Sequence, residues 1–194
     1  MTIELWTDGS GLATGGPGGW AYVLRAIDDL GLVVREREGS GGIPGPDCTN
    51  NRAELTAVIE GLRALERPCG LTVASDSEYV VAAFTDGWLD RWRANGWRNR
   101  DGAPVANRDL WVTLHVAASL HLIDWRLVKG HAKTLSCRTC GWTTDVVAGK
   151  RVKTCPVCRM HTPLLKRDKY PLNARCDALA GEARRALITT REAA

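Results

Sequence analysis

Two acidic residues stand directly after segments that are predicted to be strands. Asp8 follows residues 2–7, and Asp76 follows residues 71–75. Gly9 permits the sharp turn with which a chain leaves a strand. If the two strands are parallel neighbours, the carboxylates of Asp8 and Asp76 lie side by side and repel each other unless a cation neutralises them. Asp-Gly is also an ordinary turn dipeptide, so at this point a metal site and a simple turn both stay open.

Two further carboxylates are expected on helices. Glu54 lies at the edge of the apolar face of a helix that Asn50 can cap, a position where an acid is more often merely part of an amphipathic surface. Asp177 lies in the first turns of a helix that begins at Asn173. This last helix is predicted to turn four apolar residues toward the core, namely Leu179, Ala183, Ala186 and Leu187.

Four of the seven cysteines form two closely spaced pairs, Cys137-x-x-Cys140 and Cys155-x-x-Cys158. Two such pairs can complete a tetrahedral site of four thiolates, which predicts one structural Zn²⁺. The alternative, a pair of redox dithiols or disulfides, fits a reducing compartment less well. His161 is a possible substitute ligand. The other three cysteines are expected to be small buried residues: Cys48, Cys69 and Cys176.

Length and composition indicate a globular protein with one main domain and a small insertion. The chain has 194 residues, of which 44% are hydrophobic and 25% charged, as is usual for soluble domains. No apolar run approaches the roughly 20 residues of a membrane span. A strand is predicted directly after Met1, so we expect no signal peptide and a cytoplasmic location. We expect a monomer.

Positive charge is concentrated between residues 133 and 170. This segment holds nine basic and two acidic residues, a net charge of +7, whereas the remaining 17 basic and 20 acidic residues give −3. The imbalance indicates contact with a polyanion, or else a solvated surface. A second segment alternates tryptophan with arginine and could grip nucleic acid, although its tryptophans could equally be core residues: Trp88, Trp92, Trp97, Arg98 and Arg100.

Hydrophobic periodicity predicts an α/β fold. Further strands are expected at 20–25, 32–36 and 122–128, with a loop at 39–46. The glycine-rich run 9–19 is predicted to connect two strands, because no helix follows it as a phosphate-binding loop would require. One helix is expected to run from Ser77 to Trp88 or Trp92, and another from Asn107 to Ala118.

These features together resemble the type 1 bacterial ribonucleases H. The similarity rests on seven segments in the family's order: Thr7-Asp8-Gly9-Ser10, Gly16-Pro17-Gly18-Gly19, Thr49 to Leu55, Ser75 to Val80, Asn107-x-Asp109-Leu110-Trp111, Val128-Lys129-Gly130-His131, and Asn173 to Asp177. It implies a five-stranded mixed sheet, three strands antiparallel and then two parallel, with helices on both faces. The ribonuclease H domain would comprise 1–132 and 170–194, and 133–169 would be an inserted zinc ribbon.

The resemblance also implies a chemistry. Asp8, Glu54, Asp76 and Asp177 would be the catalytic carboxylates and would bind two Mg²⁺ ions, or Mn²⁺, that hydrolyse the RNA strand of an RNA–DNA hybrid to 5′-phosphate and 3′-hydroxyl ends. His131 would assist proton movement or product release. Residues expected to contact the substrate are Thr49, Asn50, Asn51, Trp88, Trp92, Arg98 and Asn107.

Some positions depart from the family pattern. Glu78 stands where bacterial members often carry Gln, which puts one minor-groove contact in doubt. Thr14 and Lys133 replace a frequent Asn and Gly, and the insertion is the largest departure. Two other functions stay open from the sequence: a catalytically silent binder of hybrid or double-stranded RNA, and a strand-transfer enzyme of the wider superfamily. We expect the basic insertion to help bind substrate.

Overall fold

A five-stranded sheet forms the centre of the structure. The structure is a computed structural model that describes residues 1–147, 152, 154–159 and 164–192. The sheet consists of β1 (Thr2–Ser10), β2 (Gly18–Ile27), β3 (Val33–Ile43), β4 (Gly70–Ser75) and β5 (Leu122–Leu127). Its order is β3-β2-β1-β4-β5; β1, β2 and β3 are antiparallel, and β4 runs parallel to both β1 and β5. This confirms the mixed sheet predicted from the sequence.

In the part of the chain that the structure describes, five helices accompany the sheet. They are α1 (Asn50–Arg63), α2 (Glu78–Thr85), α3 (Trp88–Ala94), α4 (Arg108–Ala118) and α5 (Pro171–Glu192). Neighbouring residues of a strand point to opposite faces of a sheet. Accordingly, Leu5 of β1 joins a buried cluster with Leu55 of α1, whereas Val23 of β2 packs with Cys176 and Ala180 of α5. Helices therefore cover both faces. Among the described residues, no helix is both long and apolar enough to cross a membrane.

The parallel pairing of β1 with β4 fixes the position of the first two carboxylates. Thr7 is paired with Ser75 in this register, so the next residue on each strand is an aspartate. Asp8 and Asp76 therefore lie side by side at the same end of the sheet, as predicted. The prediction that Asp8 ends its strand and that Gly9 forms a sharp turn is wrong, because β1 continues to Ser10, paired with β2.

Several element boundaries differ from the predictions. Thr49, and not Asn50, caps α1, because its side chain accepts a hydrogen bond from the backbone N–H of Arg52. The predicted loop at 39–46 is in its first part a continuation of β3. A Cβ on Gly39 would stand 2.6 Å from the ring of Tyr22, and one on Gly41 would stand 2.7 Å from the ring of Trp20. Glycine here makes room for aromatic rings and does not form a turn.

The helices also differ in detail. The helix expected to continue from Ser77 through Trp88 is broken at Gly87, which adopts a left-handed conformation with φ 68° and separates α2 from α3. Helix α5 begins at Pro171 and not at Asn173, since proline is well suited to the first helical position. Ala186 is exposed, contrary to prediction, whereas three residues expected to face inward are half-buried: Leu179, Ala183 and Leu187.

A second, smaller sheet lies in the segment that the sequence predicts to be an insertion. Strands β6 (Lys133–Ser136), β7 (Thr143–Asp145) and β8 (Leu165–Asp168) are antiparallel in the order β7-β6-β8. At its base, the N–H of Lys169 donates to the carbonyl of Ala132 at 2.8 Å. Lys133 forms an ion pair with Asp168. These contacts bring the two ends of the insertion together.

Close packing of β1 on α1 leads to a test of the fold. A Cβ on Gly9 would lie 2.3 Å from the backbone nitrogen of Glu54, so Gly9→Ala must push the two elements apart. We expect urea unfolding to show a loss of about 1–3 kcal/mol. Gly70→Ala is the matched control, because its Cβ would meet nothing nearer than 3.9 Å. Equal stabilities for the two variants would contradict this packing.

Candidate active site and metal centre

Asp8 is the buried centre of the acidic cluster. It is only 9% exposed, and its Oδ1 accepts a hydrogen bond of 2.7 Å from the N–H of Gly9. Burial raises the pKa of Asp8 to about 8, and the negative charges of Asp76, Asp177 and Glu54 add to this shift while the Gly9 hydrogen bond opposes it. The other three predicted carboxylates are therefore close enough to Asp8 for their charges to affect its ionisation.

Glu54 is held by hydrogen bonds to both of its oxygens. The side-chain Nδ2 of Asn50 donates to Oε1 at 2.6 Å, and the hydroxyl of Ser77 donates to Oε2. Burial raises the pKa of Glu54, the Ser77 hydrogen bond lowers it, and the charge of Asp76 raises it further. Asn50 in turn accepts from the N–H of Gly11 at 3.1 Å. The carboxylate is thus fixed in direction by the first turn of α1 and the start of α2.

Asp76 lies between two other elements. Nδ2 of Asn173 donates to its Oδ2 at 3.1 Å. On the other side, a Cβ placed on Gly130 would be 2.2 Å from the same oxygen, so the chain following β5 passes close beside it. Asp177 is exposed and lies one turn after Asn173 on α5.

The donor set fits a hard divalent cation. All four side chains offer oxygen, and Mg²⁺ needs few protein oxygens because it retains several waters. A bound cation would also relieve the repulsion that raises the pKa of Asp8. Among the described residues, one group of three or more possible metal ligands has all its ligand atoms within 4.8 Å of one another, and it consists of cysteines. The carboxylates are therefore spread more widely than a single compact cage.

His131 lies at the rim of this cluster. It is exposed, follows Gly130 directly, and has a left-handed backbone with φ 53°. The sequence-based role for His131 stays a prediction, since the structure fixes its place on the loop beside Asp76 and not its action.

The predicted substrate-contacting residues fall into two groups. Thr49, Asn50 and Asn51 lie at the start of α1, beside Glu54, and Asn51 is exposed. Asn107 lies next to this group, because its Oδ1 accepts a hydrogen bond of 3.3 Å from the side chain of Arg52 on α1.

The second group lies on α3 and the loop that follows. The ring of Trp92 meets the buried ring of Trp111 edge-on, with centroids 5.4 Å apart, and Trp88 also packs against the core. Arg98 is exposed and donates to the carbonyl of Gly102 at 2.7 Å. The two tryptophans are therefore partly buried and pack against the core, which agrees with the alternative that these tryptophans are core residues. Their contact with substrate stays a prediction.

Sequence reasoning did not identify the groups that hold the carboxylates in place. Ser77, Asn173 and the backbone of Gly130 contact Glu54 or Asp76. Ser77 immediately follows Asp76, but nothing in that spacing indicates that its hydroxyl turns toward Glu54.

The four paired cysteines form a compact cluster. Their sulfur atoms all lie within 4.8 Å of one another, and none of the seven cysteines, all of them described, is in a disulfide. The N–H four residues after the first cysteine of each pair donates back to its carbonyl, from Gly141 at 3.0 Å and from Arg159 at 2.9 Å. Both of these residues have left-handed backbones. The two turns are therefore alike and together can hold a metal ion. His161 lies outside the described residues.

The electrostatics of the cluster favour thiolate. Hydrogen bonds from the backbone N–H groups of Cys140 and Thr139 lower the pKa of Cys137 to about 6, with smaller contributions from the neighbouring thiols. A thiolate is the form of cysteine that binds metal.

Comparison with known proteins identifies the family. The sequence model of RNase H matches residues 1–148. The chain belongs to the RNase H family. It is 48% identical over 130 residues to a ribonuclease H of Thermus thermophilus, covering 66% of this chain and 73% of that protein. It is therefore a nuclease and a hydrolase, and the family implies dependence on divalent metal ions.

Two solved structures agree in fold. LC9-RNase H1, a type 1 RNase H with the type 2 active-site motif, matches with a TM-score of 0.57 and 29% identity, over 67% of this chain and 64% of that one, slightly under two thirds of its length. LC11-RNase H1, solved in complex with an RNA/DNA hybrid, matches with a TM-score of 0.53 and 17% identity, over 96% and 98% of the two chains.

The family match ends within the insertion. Asp177, Cys155 and Cys158 all lie beyond residue 148. The folded structure, and not the linear match, is what places Asp177 within electrostatic reach of Asp8.

The raised pKa of Asp8 predicts how stability depends on pH. Without divalent metal, the folded protein keeps a proton on Asp8 up to about pH 8, whereas the unfolded chain releases it near its ordinary pKa of 3.8. The stability due to this proton is complete below that value and is lost as the pH rises toward 8. Asp8→Asn should abolish this loss of stability, because asparagine does not ionise. At pH 8 its Tm should therefore equal or exceed that of the wild type, with a flatter profile between pH 5 and 8.

The exposed Asp124 of β5 provides the control. Asp124→Asn should follow the wild-type pH profile, since this carboxylate is exposed at the sheet edge. A Tm for Asp8→Asn several degrees below that of the wild type at pH 8 would contradict the electrostatic account.

Proposed function

We propose that the chain is an endonuclease that hydrolyses the RNA strand of RNA–DNA hybrids and leaves 5′-phosphate and 3′-hydroxyl ends. One observation carries this proposal: Asp8 is buried at one end of the sheet, beside the strand that leads to Asp76 and against the helix that carries Glu54. Burial first, and then the charges of Asp76, Asp177 and Glu54, raise its pKa. Family membership supports the nuclease activity. The related fold of LC11-RNase H1, which was solved with an RNA/DNA hybrid, supports the substrate class.

The same four carboxylates would hold two metal ions. Asp8, the most central, would be shared between them; Asp177 would help hold the ion that activates water, and Glu54 and Asp76 the ion at the leaving group. Mg²⁺, or Mn²⁺, would supply an activated water and would stabilise the charge on the leaving 3′ oxygen.

The residues around the carboxylates hold them in place. Asn50 and Ser77 fix both oxygens of Glu54, so this side chain does not need to reorient when metal binds. His131 stands on the exposed loop beside Asp76, where its imidazole can exchange protons with solvent and help the product leave.

Substrate contacts begin at the N-terminus of α1. Asn50 is already engaged with Glu54 and Gly11, so exposed Asn51 and the backbone amides of this turn are the groups most available to the nucleic acid. Thr49, Asn107, Arg98 and the edges of Trp88 and Trp92 extend the surface. Because the hydrolysis does not depend on base identity, RNA is distinguished from DNA through its 2′-hydroxyls.

We assign residues 133–169 to a zinc ribbon inserted in the ribonuclease H domain of 1–132 and 170–194. The compact cluster of four cysteines supports one structural Zn²⁺. Among the described residues of the ribbon, five basic side chains are exposed. Lys169 is paired with Asp145, and the other four can meet phosphates: Arg138, Arg159, Lys166 and Arg167. The ends of the ribbon follow His131 and precede α5 directly, so a hybrid lying over the carboxylates passes close to it. Lys150, Arg151 and Lys153, also expected to contribute, lie outside the described residues.

A cleavage assay tests the activity. With Mg²⁺, the protein should cut a labelled RNA–DNA hybrid and leave matched RNA and DNA duplexes intact, and Asp8→Asn should reduce the rate by at least about 1,000-fold, the scale of removing one essential group. Equal cutting of all three duplexes would contradict the substrate assignment. Normal turnover by Asp8→Asn would contradict the site.

Metal analysis tests the ribbon. Protein purified without chelators should contain one zinc per chain, apart from exchangeable Mg²⁺. Cys155→Ser should lose the zinc, because three thiolates close a tetrahedral site poorly. Cys69→Ser is the control, since Cys69 is not in the cluster, and it should keep the zinc. Absence of zinc from the wild type would refute the assignment.

Salt dependence tests the role of the ribbon in substrate binding. The double variant Lys166→Ala/Arg167→Ala should raise KM and reduce the slope of log affinity against log salt by about two, one for each lost phosphate contact. The turnover number should stay within about twofold, because the metal ligands are intact. Arg35→Ala/Arg37→Ala removes the same charge from β3 and should change neither quantity. If the ribbon variant behaves like this control, the ribbon does not bind substrate.

A further inference from the structure

Asn173 is a buried polar residue beside the proposed metal site. It is 3% exposed and lies in the first turn of α5. Its Nδ2 donates to Oδ2 of Asp76 at 3.1 Å. An ionised carboxylate can only accept hydrogen bonds, so the amide must present its NH₂ group, and not its oxygen, to Asp76.

The other polar atom of this side chain has no protein partner. Oδ1 of Asn173 is buried and accepts no hydrogen bond from the residues that the structure describes. A buried acceptor left without a partner is unfavourable, because it has lost its hydrogen bonds to water and gained none in the protein. Mg²⁺ bound through a few carboxylates retains waters, and each of these waters needs acceptors for its hydrogens. A water on an ion held by Asp76 is the kind of donor that would satisfy Oδ1.

We propose that Asn173 is a positioning residue for the metal site, which directs Asp76 toward the ion through its NH₂ group and accepts a hydrogen bond from a metal-bound water through Oδ1. This rests on the proposed function, in which Asp76 is a metal ligand. Groups that orient a ligand in this way typically change metal affinity or activity by about 10- to 100-fold when they are removed.

The position of Asn173 on its helix fits this role. Asp177 lies four residues later, so the two side chains point in the same direction from α5. The start of α5 is itself held, because the N–H of Ala174 donates to the carbonyl of Tyr170 and the N–H of neighbouring Lys169 donates to Ala132. Asn173 therefore lies on a helix start that is itself held in place, and its hydrogen bond can restrict the rotation of the Asp76 side chain.

Calorimetric titration with Mn²⁺ tests the proposal on the full chain, with its tightly bound metal retained. Asn173→Ala should raise the dissociation constant about 10-fold or more, while KM for the hybrid at saturating metal stays near that of the wild type. Thr7→Val is the matched control. It removes the other buried side-chain oxygen that has no partner among the described residues, the hydroxyl of Thr7. This hydroxyl lies next to Asp8 in the chain but has no hydrogen bond to a carboxylate, so its removal should leave the dissociation constant unchanged.

A double-mutant cycle shows whether Asn173 acts through Asp76. In the Asp76→Asn background, Asn173→Ala should cause little further loss of Mn²⁺ affinity. A further loss as large as that in the wild type would mean that Asn173 acts independently of Asp76, and the proposal would be wrong.

Two other outcomes separate this inference from the proposed function. If Asp76→Asn weakens Mn²⁺ binding and Asn173→Ala does not, only the inference fails. If Asp76→Asn itself has no effect, the ligand assignment fails and the inference fails with it. Because Asn173 is buried, each titration is made at a temperature where far-UV circular dichroism shows the variant to be folded. A variant that remains folded and binds Mn²⁺ as the wild type does counts against the proposal.

Discussion

Repulsion between carboxylates is the constraint on which the rest of this structure depends. Asp8 is almost fully buried, and the charges of Asp76, Asp177 and Glu54 help to raise its pKa to about 8. Such an arrangement destabilises a metal-free protein at neutral pH. It persists because β1 and β4 are fixed by the sheet, α1 is packed directly on Gly9, and hydrogen bonds hold Glu54 and Asp76 in place. A divalent cation held by these carboxylates would remove the repulsion and, as proposed, supply the chemistry.

The proposed insertion at 133–169 is placed so that it does not disturb such a site. It leaves the chain after His131 and returns just before α5, and the strands at its base join these two ends. A segment of this size has too small a core to fold unaided, so metal at the four-cysteine cluster would supply the folding energy. Because the proposed ribbon would enter and leave at one point, we expect its folding not to alter the sheet register on which the carboxylates depend.

The five strands were predictable because they depend on local apolar patterns, and the resemblance to ribonucleases H implied their arrangement in one mixed sheet. The same resemblance implied the catalytic role of the four carboxylates, which stays a prediction. The sequence did not predict that residues 39–43 continue β3. Their glycines suggest a loop, but Gly39 and Gly41 are needed because the rings of Tyr22 and Trp20 on the neighbouring strand leave no room for a side chain. Nor could it identify Asn173 or Ser77 as partners of Asp76 and Glu54, because contacts between distant elements arise only in the folded chain. The cysteine cluster was predictable because the ligand spacing is itself local.

Anomalous diffraction from crystals of the protein grown with Mn²⁺ and a non-cleavable hybrid tests the central claim most directly. The account predicts manganese between Asp8, Glu54, Asp76 and Asp177, with Asp8 contacting two ions, and a separate zinc signal at the four-cysteine cluster. Manganese bound elsewhere, or bound without Asp8 or Asp177 among its ligands, would contradict it.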